Sequence, residues 1–234
     1  VTGKKQGSFK KGVMDGAWVE YNEDGRVSRE ATYKIGKENT AVGYRYHLNG
    51  QLKSKGTFKD GKSDGPWVGY YDNGQLKFKG TYKDGEKDGP WVIYYDNGQL
   101  ASKGTAKDGK EDGSWVYYHK NGQLQSKGTA KDGKKDGPWV IYHDNGQLAS
   151  KGTYKDGKKD GPWVIYHDNG QLSSKGTYKN GVTISDLKKR EARDRQIRSS
   201  QLSQTTITAS DVDAIRRQIE PCWNLPAGAR DAHK

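Results

Sequence analysis

Four histidines of the 234-residue chain, His47, His119, His143 and His167, share one column of an internal repeat with Tyr71 and Tyr95. Imidazoles at fixed spacing invite a metal reading, since neutral imidazole is a common zinc ligand. The spacing argues against it. If each repeat is a hairpin, equivalent positions lie two strand spacings apart, about 9.6 Å. Nitrogens bound to one zinc at ~2.1 Å must come within about 4 Å of one another. Interchange with tyrosine points instead to a packing or surface role. The repeated Asp-Gly-x-x-Asp-Gly lacks the dense oxygen series and closing Glu of a calcium loop, and its residues suit turns. Cys222, the single cysteine, has no identifiable base beside it and reads as a small packing residue. With no nucleophile-base pair, paired carboxylates or phosphate-cradling loop, neither an enzyme nor a metal or cofactor protein is expected.

The chain does offer aromatic rings and lysines. Leu, Ile, Val and Phe number 10, 9, 12 and 3, and the formal net charge is +12. So poor an aliphatic content at high charge is a composition expected of disorder, yet the chain holds 7 Trp and 15 Tyr. Periodicity resolves the conflict. Trp67, Trp91, Trp115, Trp139 and Trp163 recur every 24 residues, in step with the Asn-Gly and Lys-x-Gly glycines. One unit, residues 80–103, reads GTYKDGEKDGPWVIYYDNGQLASK. Seven units run from Gly7 to Lys175, followed by a half-unit at residues 176–181. The outer units are degenerate, with Thr40-Ala41-Val42 in place of Gly-Pro-Trp, and the incomplete start over residues 1–6 suggests that further units precede it.

Within a unit, Trp-Val-Ile-Tyr-Tyr is a strand by β-propensity. Asp-Asn-Gly reads as a type I′ hairpin turn with Asn and Gly at positive φ. Gln-Leu-x-x-Lys-Gly-Thr-Tyr-Lys is a second strand, and Asp-Gly-x-x-Asp-Gly-Pro turns the chain again. Seven units make fourteen strands. The expected fold is all-β: an elongated single-layer antiparallel β-meander solenoid of 24-residue hairpin repeats, with a short α-helical tail. Period-two alternation puts Leu76, Phe78, Gly80 and Tyr82 on one face with Trp91, Ile93 and Tyr95. Lys77, Lys79 and Thr81 take the other face with Val92 and Tyr94. The glycine near Tyr82 should leave room for a tryptophan lying flat across the sheet.

The motif Asp-Gly-Pro-Trp-x-x-Tyr-x-x-Asn-Gly-Gln-Leu-x-x-Lys-Gly-Thr-Tyr-Lys-Asp-Gly resembles the bacterial MORN repeat variant, including the YwqK-type proteins named as antitoxin components. The resemblance covers residues 7–181 and implies a curved sheet serving as an interaction or membrane-proximal scaffold, without catalytic residues.

Residues 182–209 are charged and read as a solvated helix or linker, with Ser185 as an N-cap. Residues 210–234 form a third segment in which Val212, Ile215 and Ile219 make an apolar stripe after Ser210. Its stretch SDVDAIRRQIEPCWNLPAGARDA, residues 210–232, is similar to the opening of the TolA C-terminal domain. That likeness implies a bacterial envelope or periplasmic setting, with Tol-Pal components as neighbours. The family's sheet is not among the residues of this chain, so the partner binding of that family does not transfer.

Two faces compete for function. An aromatic groove formed by Trp67, Trp91, Trp115, Trp139, Trp163, Tyr82, Tyr95 and Tyr154 would hold a protein or peptide partner. Alternatively, these rings only stabilise the sheet. Lys77, Lys79, Lys103, Lys127 and Lys151 would form a solvated face or an anionic-membrane contact. Nucleic acid is the weakest reading, because Asp is interleaved with the Lys-rich turns. Direct neutralisation of a toxin rests on family naming alone.

Overall fold

The structure, a computed structural model, describes residues 3–204 and 209–223. Sixteen antiparallel strands, β1 (Lys5–Lys10) to β16 (Val182–Thr183), form one sheet in chain order without a crossover. The expected meander is observed. The count exceeds fourteen because the half-unit completes a fifteenth strand, β15 (Leu172–Lys179), and the residues directly after it form the short β16.

The two turn types exchange the roles read from sequence. Asp84 and Gly85, between β7 (Leu76–Lys83) and β8 (Glu86–Tyr94), both have positive φ, 52° and 95°. A two-residue loop with that geometry is the type I′ turn, whose twist matches the strands. At Asp96-Asn97-Gly98, before β9 (Leu100–Lys107), only Gly98 is left-handed, at 83°. The Gly98 N–H donates to the Tyr95 carbonyl at 3.0 Å, and the Tyr95 N–H to the Gln99 carbonyl at 2.8 Å. This is a three-residue loop built on a type I turn. Asn97 serves through its side chain instead. Its Oδ1 accepts from the Gln99 N–H at 3.1 Å, and its Nδ2 donates to the Lys120 carbonyl of the next loop at 3.1 Å.

The second Asp-Gly of the unit does not end a strand. β8 begins directly after Gly85 and absorbs Asp88-Gly89-Pro90 as a bulge, where pairing to β7 shifts between Gly80 and Tyr82. The Thr81 hydroxyl donates to the Asp88 carbonyl inside the bulge. Pro90 is tolerated mid-sheet because the ladder is already interrupted there. A second shift, between Ile93 and Tyr94, ends the strand at Tyr94. Tyr95 is therefore not on the tryptophan face as alternation predicts; it sits at the loop entrance.

Tryptophan supplies the core. Trp91 pairs with Gly80 on one side and Gly104 on the other, and its ring occupies the space a Gly80 Cβ would fill. The same holds for Trp67 over Gly56, Trp115 over Gly104, Trp139 over Gly128 and Trp163 over Gly152. Full burial of such a ring contributes about 1.5–3 kcal/mol or more, by the usual transfer scale for large apolar side chains.

The sheet, Val1–Thr183, and the remainder, Ile184–Lys234, are separate compact units. In the second, helix α1 (Ile184–Gln204) spans most of the segment read as helix or linker, and starts one residue ahead of Ser185. Helix α2 (Ala209–Trp223) carries Val212 and Ile215, both exposed. The side chains of Ile219, Cys222 and Trp223 and the end of the TolA-like stretch, residues 224–232, lie outside the described residues. No helix among the described residues is long and apolar enough to cross a membrane.

Candidate functional site

Five of the expected groove residues are one column of the sheet, and their rings are largely consumed by the fold. Trp91, Trp115, Trp139 and Trp163 are 3%, 4%, 1% and 1% exposed; Trp67 is half-buried. Each indole N–H donates to a threonine carbonyl ten residues earlier: Trp91 to Thr81 at 3.1 Å, Trp115 to Thr105 at 2.8 Å, Trp139 to Thr129 at 2.7 Å. Those carbonyls lie opposite the bulge, where the neighbouring strand offers proline or serine and a displaced backbone. The indole supplies the donor that the ladder lacks.

Tyr82 and Tyr154 are spacers between these rings. Tyr82 stands edge-on to Trp67 at 5.5 Å and to Trp91 at 5.3 Å. Tyr154 does the same for Trp139 at 6.3 Å and Trp163 at 4.9 Å. Burial pushes both phenols above their ordinary pKa. Lysines close the face from above. Lys87, Lys135 and Lys159 set their ammonium groups 4.4, 4.3 and 4.5 Å from the centroids of Trp91, Trp139 and Trp163, a cation-π arrangement worth about 0.5–2 kcal/mol. Burial lowers the Lys135 pKa, against the opposing pull of Glu111.

One unit departs from this scheme, and its residues escape a reading based on the repeat consensus. Tyr117 stands where its neighbours have Ile93 and Ile141, and stacks between Trp115 at 5.9 Å and Trp139 at 6.1 Å. Its hydroxyl donates to the Glu111 carboxylate at 2.7 Å, and burial followed by that carboxylate drives its pKa far up. Glu111 stands where Lys87, Lys135 and Lys159 do in their units, and Ala106 and Ala130, both buried, stand where Tyr82 and Tyr154 do. The signal was present as coordinated departures: a ring gained in one column where rings are lost in another.

The His/Tyr column is a stitch between repeats. Tyr95 Oη donates to the Tyr118 carbonyl at 2.7 Å, and His119 and His143 Nε2 lie 3.2 and 3.1 Å from the Tyr142 and Tyr166 carbonyls. Histidine and tyrosine interchange because each places a polar atom at that carbonyl. Among the described residues, no three His, Cys, Asp or Glu side chains are grouped to hold a metal ion.

On the opposite face, Lys79, Lys103, Lys127 and Lys151 alternate across the strands with valine: Lys79 pairs with Val92, Val92 with Lys103, Lys103 with Val116. These lysines are exposed, the valines half-buried, and the adjoining Pro66, Pro90, Pro138 and Pro162 exposed. A groove of about 470 Å³ runs over this face near Val42, Val68, Val92, Pro66, Pro90 and Lys79. Lys77 stands apart, its ammonium 5.2 Å from the Tyr71 ring.

Hairpins stacked in one sheet, all but one of them setting a tryptophan on a glycine of the strand before it, define a β-repeat protein. Its repeats match the MORN repeat variant over residues 14–34, 40–60, 63–84, 87–108, 111–132, 135–156 and 159–180, and the chain belongs to that family. No curated protein matches the chain. Similar solved structures include an accessory secretory protein 1, 2 and 3 structure of Streptococcus pneumoniae, at 19% identity, TM-score 0.26, covering 43% of this chain and 18% of that one. A GtfA/B complex bound to UDP and GlcNAc is similar at 13% identity and TM-score 0.17, covering 54% and 22%. The Tc holotoxin pore of Photorhabdus luminescens is similar at 12% identity and TM-score 0.24, covering 70% and 11%. The aligned part thus spans less than a quarter of each of these chains.

Proposed function

We propose that the protein is a non-catalytic scaffold that holds an acidic protein or peptide segment on its valine-lysine face. One observation carries the reading: Trp91, Trp115, Trp139 and Trp163 are buried by their own packing, while valine, exposed proline and lysine stems leave an accessible apolar groove on the other face. The lysine row recurs with the valine row, so the groove offers alternating apolar and cationic contacts. Equivalent valines lie about 9.6 Å apart, two strand spacings. A polyproline II segment advances about 9.3 Å in three residues and returns the same face each time. The segment that fits has an apolar residue every third position and carboxylates between, crossing the strands.

The probe is a labelled peptide of repeated Glu-Pro-Leu, titrated into the full chain. Saturable binding is expected in low salt and should weaken steeply as salt is added, because the lysines are exposed. Val92→Glu with Lys79→Glu, both in the groove, should weaken it by about tenfold or more, the size of a lost interface anchor. Absence of binding in low salt, or equal binding by the double variant, rejects the proposal. A second reading uses the same lysines on an anionic membrane surface. Flotation with anionic vesicles that depends on Lys79 and ignores Val92 would favour it over the peptide.

A further inference from the structure

The array ends with a strand that is prepared for a neighbour. Each of the five preceding strands of its type carries a glycine on which the tryptophan of the next strand rests: Gly56 under Trp67, Gly80 under Trp91, Gly104 under Trp115, Gly128 under Trp139, Gly152 under Trp163. On β15 the equivalent glycine is Gly176, and the chain leaves the sheet at Thr183 before a tryptophan is reached. A Cβ built on Gly176 would meet only the Tyr178 ring, at 3.9 Å. β16 pairs with Tyr178 and Lys179 alone. Among the described residues, no strand pairs with Leu172–Thr177 on that side.

Burial along β15 measures what is open. Leu172 is 54% exposed, whereas Leu76, Leu100, Leu124 and Leu148 in the same column are half-buried. Ser174 is exposed, whereas Ser102 and Ser126 are buried at 7%. Unpaired strand edges of this kind are templates for strand addition.

We propose that the open edge of β15 is a docking site for an antiparallel strand donated by a partner protein, carrying the pattern Gly-Pro-Trp-Val, with its tryptophan closing over Gly176. The other interfaces of the sheet specify this chemistry. Glycine at residue 176 admits a flat ring. The Thr177 carbonyl is equivalent to the threonine carbonyls that accept indole N–H groups; phenylalanine has no donor, and tyrosine carries its O–H at the far end of the ring instead of beside the backbone. A proline before the tryptophan is acceptable here because it falls at the bulge, where ordinary strand addition would reject it. The flanking Lys175 and Lys179 discourage indiscriminate pairing without obstructing that position.

The inference is independent of the valine-lysine proposal. Its probe is a labelled peptide Asp-Gly-Pro-Trp-Val-Ile-Tyr, the sequence of β14 (Lys158–Tyr166) without the two lysines whose pairing positions on β15 are already held by β16, titrated into the full chain and followed by fluorescence anisotropy. Saturable binding with a Kd of about 10–100 µM is expected for so short a strand. The Trp→Ala peptide should bind at least about tenfold more weakly, as when an interface anchor is truncated. Gly176→Leu in the protein should weaken binding to the same degree, with an unchanged circular dichroism spectrum and unfolding midpoint. Lys127→Glu should leave it unaltered. No saturable binding, or equal binding by the alanine peptide or by G176L, overturns the proposal. So does a protein dimer that G176L dissociates and the peptide cannot displace, because the edge would then belong to a second copy.

Discussion

At the scale of single residues, glycine and tryptophan act as one unit, and that fixes what their replacement does. Trp139 is 1% exposed and gives its indole N–H to Thr129. Trp139→Ala removes the ring and leaves a carbonyl without its donor, so a loss of about 3–5 kcal/mol is expected in denaturant unfolding. A loss below about 1 kcal/mol would mean that the ring is surface, not core. Gly128→Ala attacks the same contact from beneath by driving a methyl into the Trp139 ring, with an expected cost of about 1–3 kcal/mol. Gly176→Ala, with no tryptophan above it, should be neutral or stabilise by up to about 1 kcal/mol through strand propensity. Titration follows the same packing. Tyr117 is held protonated by burial and by Glu111, so its folded pKa lies above the unfolded value of ~10. The stability it contributes is complete below pH ~10 and is lost as pH rises beyond that value toward the folded pKa. Glu30 pushes Tyr44 up to about 12 in the same sense. Unfolding free energies of wild type and Tyr117→Phe, measured from pH 9 to pH 12, should converge as pH rises if Phe retains the packing; parallel curves would contradict a raised Tyr117 pKa.

At the scale of the hairpin, the repeat period, the strands and the burial of rings over glycine were all legible from residue spacing. The loops were not, although both contain glycine after a small polar residue. Propensity tables treat Asn-Gly and Asp-Gly alike as turn formers. Only the number of loop residues and the reach of the side chain to the next repeat distinguish them. Alternation also failed at Tyr95, because the bulge between Ile93 and Tyr94 breaks the period of two on which face assignment depends. No local pattern announces that Lys87, Lys135 and Lys159 fold back over Trp91, Trp139 and Trp163. The distinction between loops is open to a paired experiment. Asn121→Asp discards the amide that donates to the Asp144 carbonyl at 2.7 Å and should cost about 1 kcal/mol. Asp132→Asn, at φ 52° in the type I′ turn, should be neutral, because asparagine accepts the left-handed conformation at least as well. Equal costs at the two sites would remove the assigned division of labour.

At the scale of the whole sheet, each strand pairs only with the strands beside it, so stability should be close to a sum over hairpins and their interfaces. The sum carries a phase. Apart from the Ala31–Ala41 pair, strands that bear glycine alternate with strands that bear tryptophan, and only that order sets each tryptophan on a glycine. Deleting residues 135–158, one full period, joins Lys134 to Lys159 and restores Lys-Lys-Asp-Gly-Pro-Trp, now with Trp163 above Gly128. The shortened chain should fold to the same spectroscopic signature. By the usual stability per residue, it should lose about 1–4 kcal/mol, and its denaturant m-value should fall in proportion to the surface removed. Deleting residues 143–154, half a period, joins Tyr142 to Lys155 and sets the Trp139 strand directly against the Trp163 strand, two rings with no glycine between them. That smaller deletion should be the more damaging, leaving a chain that aggregates or unfolds without a cooperative transition. If the two deletions were equally tolerated, pairing of tryptophan with glycine would not set the order of the sheet, and the selectivity assigned to the β15 edge would lose its basis.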